Sequence, residues 1–321
     1  MTSTYSNLIS RVLVAVVAVP AVLFISYQGG LLFFLFVTAV TVLALKEWYD
    51  LAALKGASPQ RTTGIVAALL FVAAFFHEQI QSFIVPLVFD RGIALTPLTK
   101  LQLFLTVLLV FLVFVLLIEL FRNKGSLFVN AGYTIFGFLY VGLFLGTLVG
   151  LRELFGNEFP YWLVRKHLDI VGGFSDASVH AVTYRWGGLT IISIFASIWI
   201  CDTAAYFGGK AMGRHKLFVR VSPNKTWEGA VWGFVGAVVT MAAAQKLILP
   251  YMEFSQAIIV GMIIGVFGQI GDLVESLFKR DAGVKDSSTM IPGHGGVLDR
   301  FDSLIFVSPI LYLYIDFVVF S

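Results

Sequence analysis

Long apolar runs decide what this chain can become. Nine stretches, at 10–27, 31–47, 62–76, 101–121, 131–150, 188–207, 230–249, 256–277 and 303–320, are apolar almost without interruption. A helix needs about 20 such residues to cross the hydrocarbon core of a bilayer. Most of the runs are apolar all round, as segments facing lipid and one another must be. The expected fold is therefore all-α: a polytopic membrane protein of about nine transmembrane helices, the third being the shortest. Composition agrees, with 58% hydrophobic and 13% charged residues, where soluble domains have about half and a quarter.

The first run follows a single Arg11 and superficially resembles a secretory signal. It exceeds the usual apolar core of a signal, no small-residue cleavage site follows, and a second run begins almost at once, so it reads as a retained span. A net charge of +3 gives no sign of a nucleic-acid partner. One cysteine, Cys201, excludes an intramolecular disulfide and any paired-cysteine metal motif. The five histidines, His77, His167, His180, His215 and His294, have no spacing suited to zinc.

Orientation follows from Lys and Arg, which favour cytoplasmic loops. With a cytoplasmic N-terminus, the alternating assignment places roughly two thirds of the 22 Lys and Arg residues on the cytoplasmic side. The C-terminus then lies outside. The lack of a targeting extension points to a bacterial cytoplasmic membrane. The chain divides into N-terminal spans over 1–150, an outer polar loop over 151–187, and a C-terminal region over 188–321 that carries the chemistry. In the outer loop Phe155, Phe159, Tyr161 and Trp162 look like interfacial anchors. Gly261, Gly265, Gly268 and Gly271 recur at helical spacing, a face that lets backbones approach closely and would also permit a homodimer.

Polar information concentrates in two cytoplasmic segments. In the first, Asp202 interrupts an apolar run, where an ionisable group is costly unless paired or hydrated. Gly208-Gly209-Lys210 follows, then Ser222-Pro223-Asn224-Lys225-Thr226-Trp227-Glu228-Gly229. Glycines permit close backbone approach and lysines supply point charges for phosphates. Basic cytoplasmic loops also serve simply as topology determinants and contacts to anionic lipid, and this segment alone does not decide between the two.

The second segment is more specific. Asp272 and Glu275 share a helix face at the end of one run, and Asp299 and Asp302 share another at the start of the last. Two acidic pairs entering one membrane boundary repel unless cations lie between them. Mg²⁺ suits such a site, commonly using one or two carboxylates plus substrate phosphates. Lys279, Arg280, Lys285 and Arg300 are interleaved with these acids and with Asp286. Pro292-Gly293-His294-Gly295-Gly296 supplies a tight turn whose N–H groups could receive an anion. His294 could either stabilise that turn or take part in catalysis. Carboxylates for metal and cations for phosphate together suit phosphoryl or nucleotidyl transfer.

These residues resemble a known signature. Ser276-Leu277-Phe278-Lys279-Arg280, then Lys285-Asp286, then Pro292 to Asp302 in the form PGHGGVLDRFD, are similar to the motif of the phosphatidate cytidylyltransferase (CDP-diacylglycerol synthase) family. Cys201 to Tyr206, Ser222 to Gly229 and Gly271 to Ser276 also resemble its motifs, so the likeness is sharp over 198–303. It implies a polytopic helical fold with a cytoplasm-facing polar cavity, and conversion of CTP and phosphatidic acid into CDP-diacylglycerol and pyrophosphate. It implies metal and catalytic roles for Asp272, Asp299 and Asp302, with Glu275 beside them and Lys285, Asp286, Arg300 and His294 in the catalytic segment. Substrate phosphates would be met by Asp202, Lys210, Ser222, Asn224, Lys225, Thr226, Glu228, Lys279, Arg280, Gly295 and Gly296. The cofactor would be Mg²⁺, with room for a second cation such as K⁺.

The chemistry suits these residues. A lipid phosphomonoester is already largely ionised near neutral pH, with a second pKa of about 6, so no strong base is needed. The obstacle is repulsion between two polyanions, which calls for cations and in-line positioning. Three other readings remain open at this stage. The lipid could be an ether-lipid phosphate, or the enzyme a CTP-dependent polyprenol kinase. Asp202 and Asp272 at membrane depth would also suit a transporter, although no two halves of the hydropathy pattern match.

Overall fold

A computed structural model of the chain describes residues 2–89, 98–156, 159–167, 176–291, 293 and 295–321. The elements run α1 (Thr2–Gln28), α2 (Gly30–Leu54), α3 (Arg61–Phe75), α4 (His77–Phe89), α5 (Lys100–Phe121), α6 (Leu127–Gly137) and α7 (Phe144–Glu153). They continue with α8 (Tyr161–His167), α9 (Asp176–Met212), β1 (Lys216–Phe218), β2 (Ser222–Thr226), α10 (Trp227–Leu247), α11 (Phe254–Ile263), α12 (Gln269–Asp281) and α13 (Leu298–Tyr314). Single π-helical turns join α6 to α7 at Phe138–Leu143 and α11 to α12 at Ile264–Gly268, and a third, Ile315–Val319, follows α13.

The protein is helical and polytopic, as its apolar runs require. Among the described residues seven helical segments are long and apolar enough to cross a membrane, and eight if the α3–α4 pair, bent by 80°, counts as one span. One difference separates this from nine straight spans. The first run lies within α1, a helix of 27 residues, but the third breaks at Phe76, so α3 has only 15 residues and α4 follows at an angle.

Residues Gly30–Gly150 form one compact unit, and Met1–Gly29 with Leu151–Ser321 the other. In the first, α5 is apolar on every side and buries only Phe111, Val115 and Glu119, a stripe spaced by four residues. The rest of its surface, including Leu105, Leu109 and Phe121, is exposed as a lipid-facing helix would be. Hydrogen bonds gather three chain segments at one end of this unit. Ser58 N donates to Asn130 Oδ1 at 2.7 Å, and Gln60 Nε2 donates to Glu119 Oε1 at 2.9 Å. The loop before α3, the end of α5 and the start of α6 therefore share one face.

The second unit packs α9 against α10, α10 against α11, and α12 against α13. The expected glycine face is used between these helices. A Cβ on Gly261 would sit 2.6 Å from Val238 Cα, and one on Gly271 would sit 2.7 Å from Phe306 Cβ and 2.9 Å from the Asp302 carbonyl oxygen. Helix α11 thus approaches α10, and α12 approaches α13, as closely as backbones without side chains between them allow. Toward the other end, Arg152 is fully buried and donates from Nε to Ser26 O and from Nη2 to Tyr27 O, both at 3.3 Å. Its guanidinium also stacks over Tyr184, 3.9 Å from the ring centroid. It thereby covers the last carbonyls of α1, where a helix has unsatisfied acceptors and partial negative charge.

Phe155 and Phe159, expected as interfacial anchors, are instead buried in an aromatic cluster with Trp186, Tyr251 and Phe320. Their rings pack against α9 and the chain end. Trp162 stays exposed. The segment expected as a polar loop, 151–187, also carries helix, since α8 and the first turns of α9 fall within it.

Candidate active site

A cavity of about 340 Å³ opens where α9, the β hairpin, α10 and α12 meet. Its polar lining includes Asp202, Lys210, Asn224, Lys225, Thr226 and Asp272. Each element delivers its residue for a local reason. The antiparallel hairpin of β1 and β2 pairs Lys216 with Thr226 and carries Asn224 and Lys225 back toward the helices. Thr226 then caps α10, its hydroxyl accepting from Gly229 N at 3.2 Å, a cap that fixes where the helix begins. Glu228 accepts from Arg214 N and His215 N and pairs with His215 Nδ1 at 2.6 Å. It therefore binds the end of α9 to the start of α10.

The decisive contact is between Lys225 Nζ and Asp272 Oδ2, 2.6 Å apart, each side chain about one-third accessible. Ser276 Oγ donates to the other Asp272 oxygen at 3.4 Å. Asp202 and Asp302 lie close enough to act electrostatically on one another and on Asp272, and Lys225 acts on both. Arg300, exposed at the start of α13, acts on Asp202 as well. Three helices thus each bring one aspartate to a common region with a single bound lysine. Among the described residues no three His, Cys, Asp or Glu side chains already converge as a metal cage. The two or three hard oxygen donors present fit a Mg²⁺ completed by substrate phosphates.

A second set of expected site residues gathers apart from the cavity lining. Lys279 Nζ lies 2.7 Å from Glu275 Oε2 and 2.5 Å from Asp299 Oδ1. The other oxygen of Asp299 accepts from Gly296 N at 2.7 Å, Ser287 Oγ at 2.9 Å and Ser287 N at 3.0 Å. Arg280 is turned to backbone, donating from Nη1 to Val284 O at 2.9 Å and from Nε to Val221 O at 3.4 Å. Lys285 and Asp286 are exposed, and Ser222 pairs with Phe218 across the hairpin. Gly295 bridges to Ile291. His294 lies outside the described residues, as does Pro292.

Two participants were missed in the sequence. Gln269 lines the cavity and ties α12 to α10 by donating to Ala230 O at 3.1 Å. A lone amide inside an apolar run is a signal that would have found it. Ser287 carries no such signal, being one of two adjacent serines in a polar loop.

Comparison with known proteins matches residues 9–318 to the cytidylyltransferase family. The chain belongs to that family. Similar relatives within it are phosphatidate cytidylyltransferases. The one from Synechocystis sp. is 33% identical over 306 residues, covering 95% of both chains. That of Staphylococcus saprophyticus is 32% identical over 94% of this chain and 96% of its own. That of Brucella suis is 32% identical over 96% of this chain and 93% of its own. The cytidylyltransferase match therefore includes both units, not only the motif-bearing region.

Proposed function

We propose that the chain is a CTP:phosphatidate cytidylyltransferase, a membrane nucleotidyltransferase of phospholipid biosynthesis. An oxygen of the lipid phosphomonoester attacks the α-phosphorus of CTP, the bond to the β-phosphate breaks, and pyrophosphate leaves as CDP-diacylglycerol forms. The observation that carries this reading is the Lys225–Asp272 pair on the wall of an open cavity at the end of the spans. Such a cavity can receive a nucleotide from water and a headgroup from the bilayer.

The residues divide the work by charge. Lys225 and Lys210 face the phosphates, Lys225 being held in place by Asp272 until they arrive. Asn224 and Thr226, on the same strand, orient the nucleotide. Asp272 with Asp302 and Asp202 would hold Mg²⁺, which when bound neutralises charge developing on the phosphoryl oxygens. A second cation such as K⁺ would further relieve repulsion among these acids. None of the acidic side chains need act as a base, since the attacking phosphate is already largely ionised near neutral pH. The distribution of Lys and Arg favours a cytoplasmic site in a bacterial cytoplasmic membrane.

The test uses purified protein in detergent with phosphatidic acid, Mg²⁺ and CTP labelled either at the α- or the γ-phosphate. The α-label should enter the lipid and the γ-label should leave as pyrophosphate. A γ-label found in lipid would identify a kinase instead, and no transfer by folded protein would remove the reading.

A further inference from the structure

We propose that Glu275, Lys279 and Asp299 form a closed charge lock that sets the positions of Ser287, Gly296 and the first turn of α13. In this view Asp299 and Lys279 are positioning residues, not part of the surface that meets metal or phosphate. Its kinetic arm rests on the cytidylyltransferase reading above; its structural arm does not.

Accessibility separates the two acidic groups. The side chains of Glu275, Lys279 and Asp299 are 1%, 11% and 4% exposed, whereas Asp272 is 32% exposed. None of the three lines the cavity that Asp272, Asp202 and Lys225 share. Both oxygens of Asp299 are already occupied, Oδ1 by Lys279 and Oδ2 by three donors from Ser287 and Gly296. Four donors match the roughly four acceptor sites of a carboxylate, and drawing it to a cation would strand a buried ammonium.

The geometry also explains what the lock positions. Glu275 and Lys279 are one turn apart on α12, and Asp299 begins α13, so the contact clamps the two helices across the connecting segment. Ser287 and Gly296 are drawn in from that segment's two arms. Gly295 makes this possible: its φ is +80°, and a Cβ there would sit 2.6 Å from Asp299 Oδ2. Asp302 stands three residues beyond Asp299, on the neighbouring face of the same turn. Fixing Asp299 therefore fixes the rotation that presents Asp302 to Asp272 and Asp202.

The test compares Asp299→Asn, Gly295→Ala and Asp272→Asn. Amide hydrogen exchange is followed in EDTA, where metal plays no part. The first two variants should speed exchange in peptides containing Ser287 and Gly296 by at least about tenfold, because Asn leaves one accepting oxygen for donors that now use two, and the Ala Cβ displaces Asp299 Oδ2 from these amides. Asp272→Asn should leave it as in the wild type. With substrates, Asp299→Asn and Gly295→Ala should lower kcat by roughly 100-fold, the size expected of a small misplacement, while the Mg²⁺ activation constant stays within about threefold of the wild type. Lys279→Arg should retain most protection, since a guanidinium can still serve both carboxylates. Unchanged exchange in the folded Asp299→Asn and Gly295→Ala proteins would overturn the proposal. So would a Mg²⁺ requirement raised tenfold by Asp299→Asn. If Asp299→Asn cannot be recovered folded, Gly295→Ala decides alone, as it removes no charge. A wild type inactive with CTP and phosphatidic acid would remove the proposed function but leave the exchange arm standing.

Discussion

Lys225 and Asp272 are each other's counterions, with Nζ and Oδ2 2.6 Å apart, and they join the end of a two-stranded hairpin to a helix that enters the membrane. The pair gives an intramembrane aspartate a partner before any substrate is present. Removing either member should cost more than losing a surface charge, since the remaining one is left in a partly enclosed cavity. Asp272→Asn and Lys225→Met should each lower kcat by about 100-fold or more, in the range seen when one charge-stabilising group is deleted. Their effects should be strongly non-additive in a double-mutant cycle measured by CDP-lipid formation.

Asp302 offers a stability test of the opposite sign. It shares its surroundings with Asp272 and Asp202, so like charges oppose folding when no cation is bound. Asp302→Asn should therefore raise the unfolding temperature in EDTA, while losing both activity and the further stabilisation expected of the wild type on adding Mg²⁺. Thermal unfolding in detergent, with and without Mg²⁺, measures both.

Gly271 tests the packing of α12 on α13. A Cβ there would meet Phe306 Cβ at 2.7 Å and the Asp302 carbonyl at 2.9 Å, neither of which can move without shifting α13. Gly271→Ala should destabilise by about 1–3 kcal/mol, the usual cost of overpacking. Activity should fall along with stability, because α13 carries Asp302.

Arg152 should prove structural. Arg152→Ala would leave the Ser26 and Tyr27 carbonyls uncovered and remove the stack on Tyr184, a loss of about 2 kcal/mol or more for charge-assisted hydrogen bonds. Arg152→Lys should not restore it, since an ammonium lacks the planar fork that spans two carbonyls and a ring. The Mg²⁺ activation constant should not change in either variant.

Much of this was legible because membrane helices declare themselves by length and because intramembrane acids are rare enough to notice. Asp202 and Asp272 stood out on that ground, and Asp302 by its spacing from Asp299. The glycines at 261 and 271 were readable as contact points for the same reason, since a small residue at helical spacing has few other uses in lipid. What could not be read was the sharing of partners. Spacing made Asp299 and Asp302 a pair, yet the fold sends one to Lys279 and the other to Asp272. A helix period says which residues share a face, not which neighbour a neighbouring helix will supply. Phe155 and Phe159 failed for a related reason, as an aromatic near a membrane edge looks the same whether it faces headgroups or Tyr251. The break at Phe76 left only a weak trace, a run a few residues short of a span.

The placement of α1 bears on how the protein is made. Arg152 reaches carbonyls 126 and 125 residues earlier in the chain, and everything between, Gly30 to Gly150, is a compact unit of its own. During synthesis the N-terminal helix enters the bilayer first, yet its partners on α9 and its covering arginine have not been translated. It must wait in lipid while an entire unit is inserted and folded behind it. A chain interrupted before residue 152 would thus hold a first helix with nothing to bind, a natural target for the membrane's quality-control proteases.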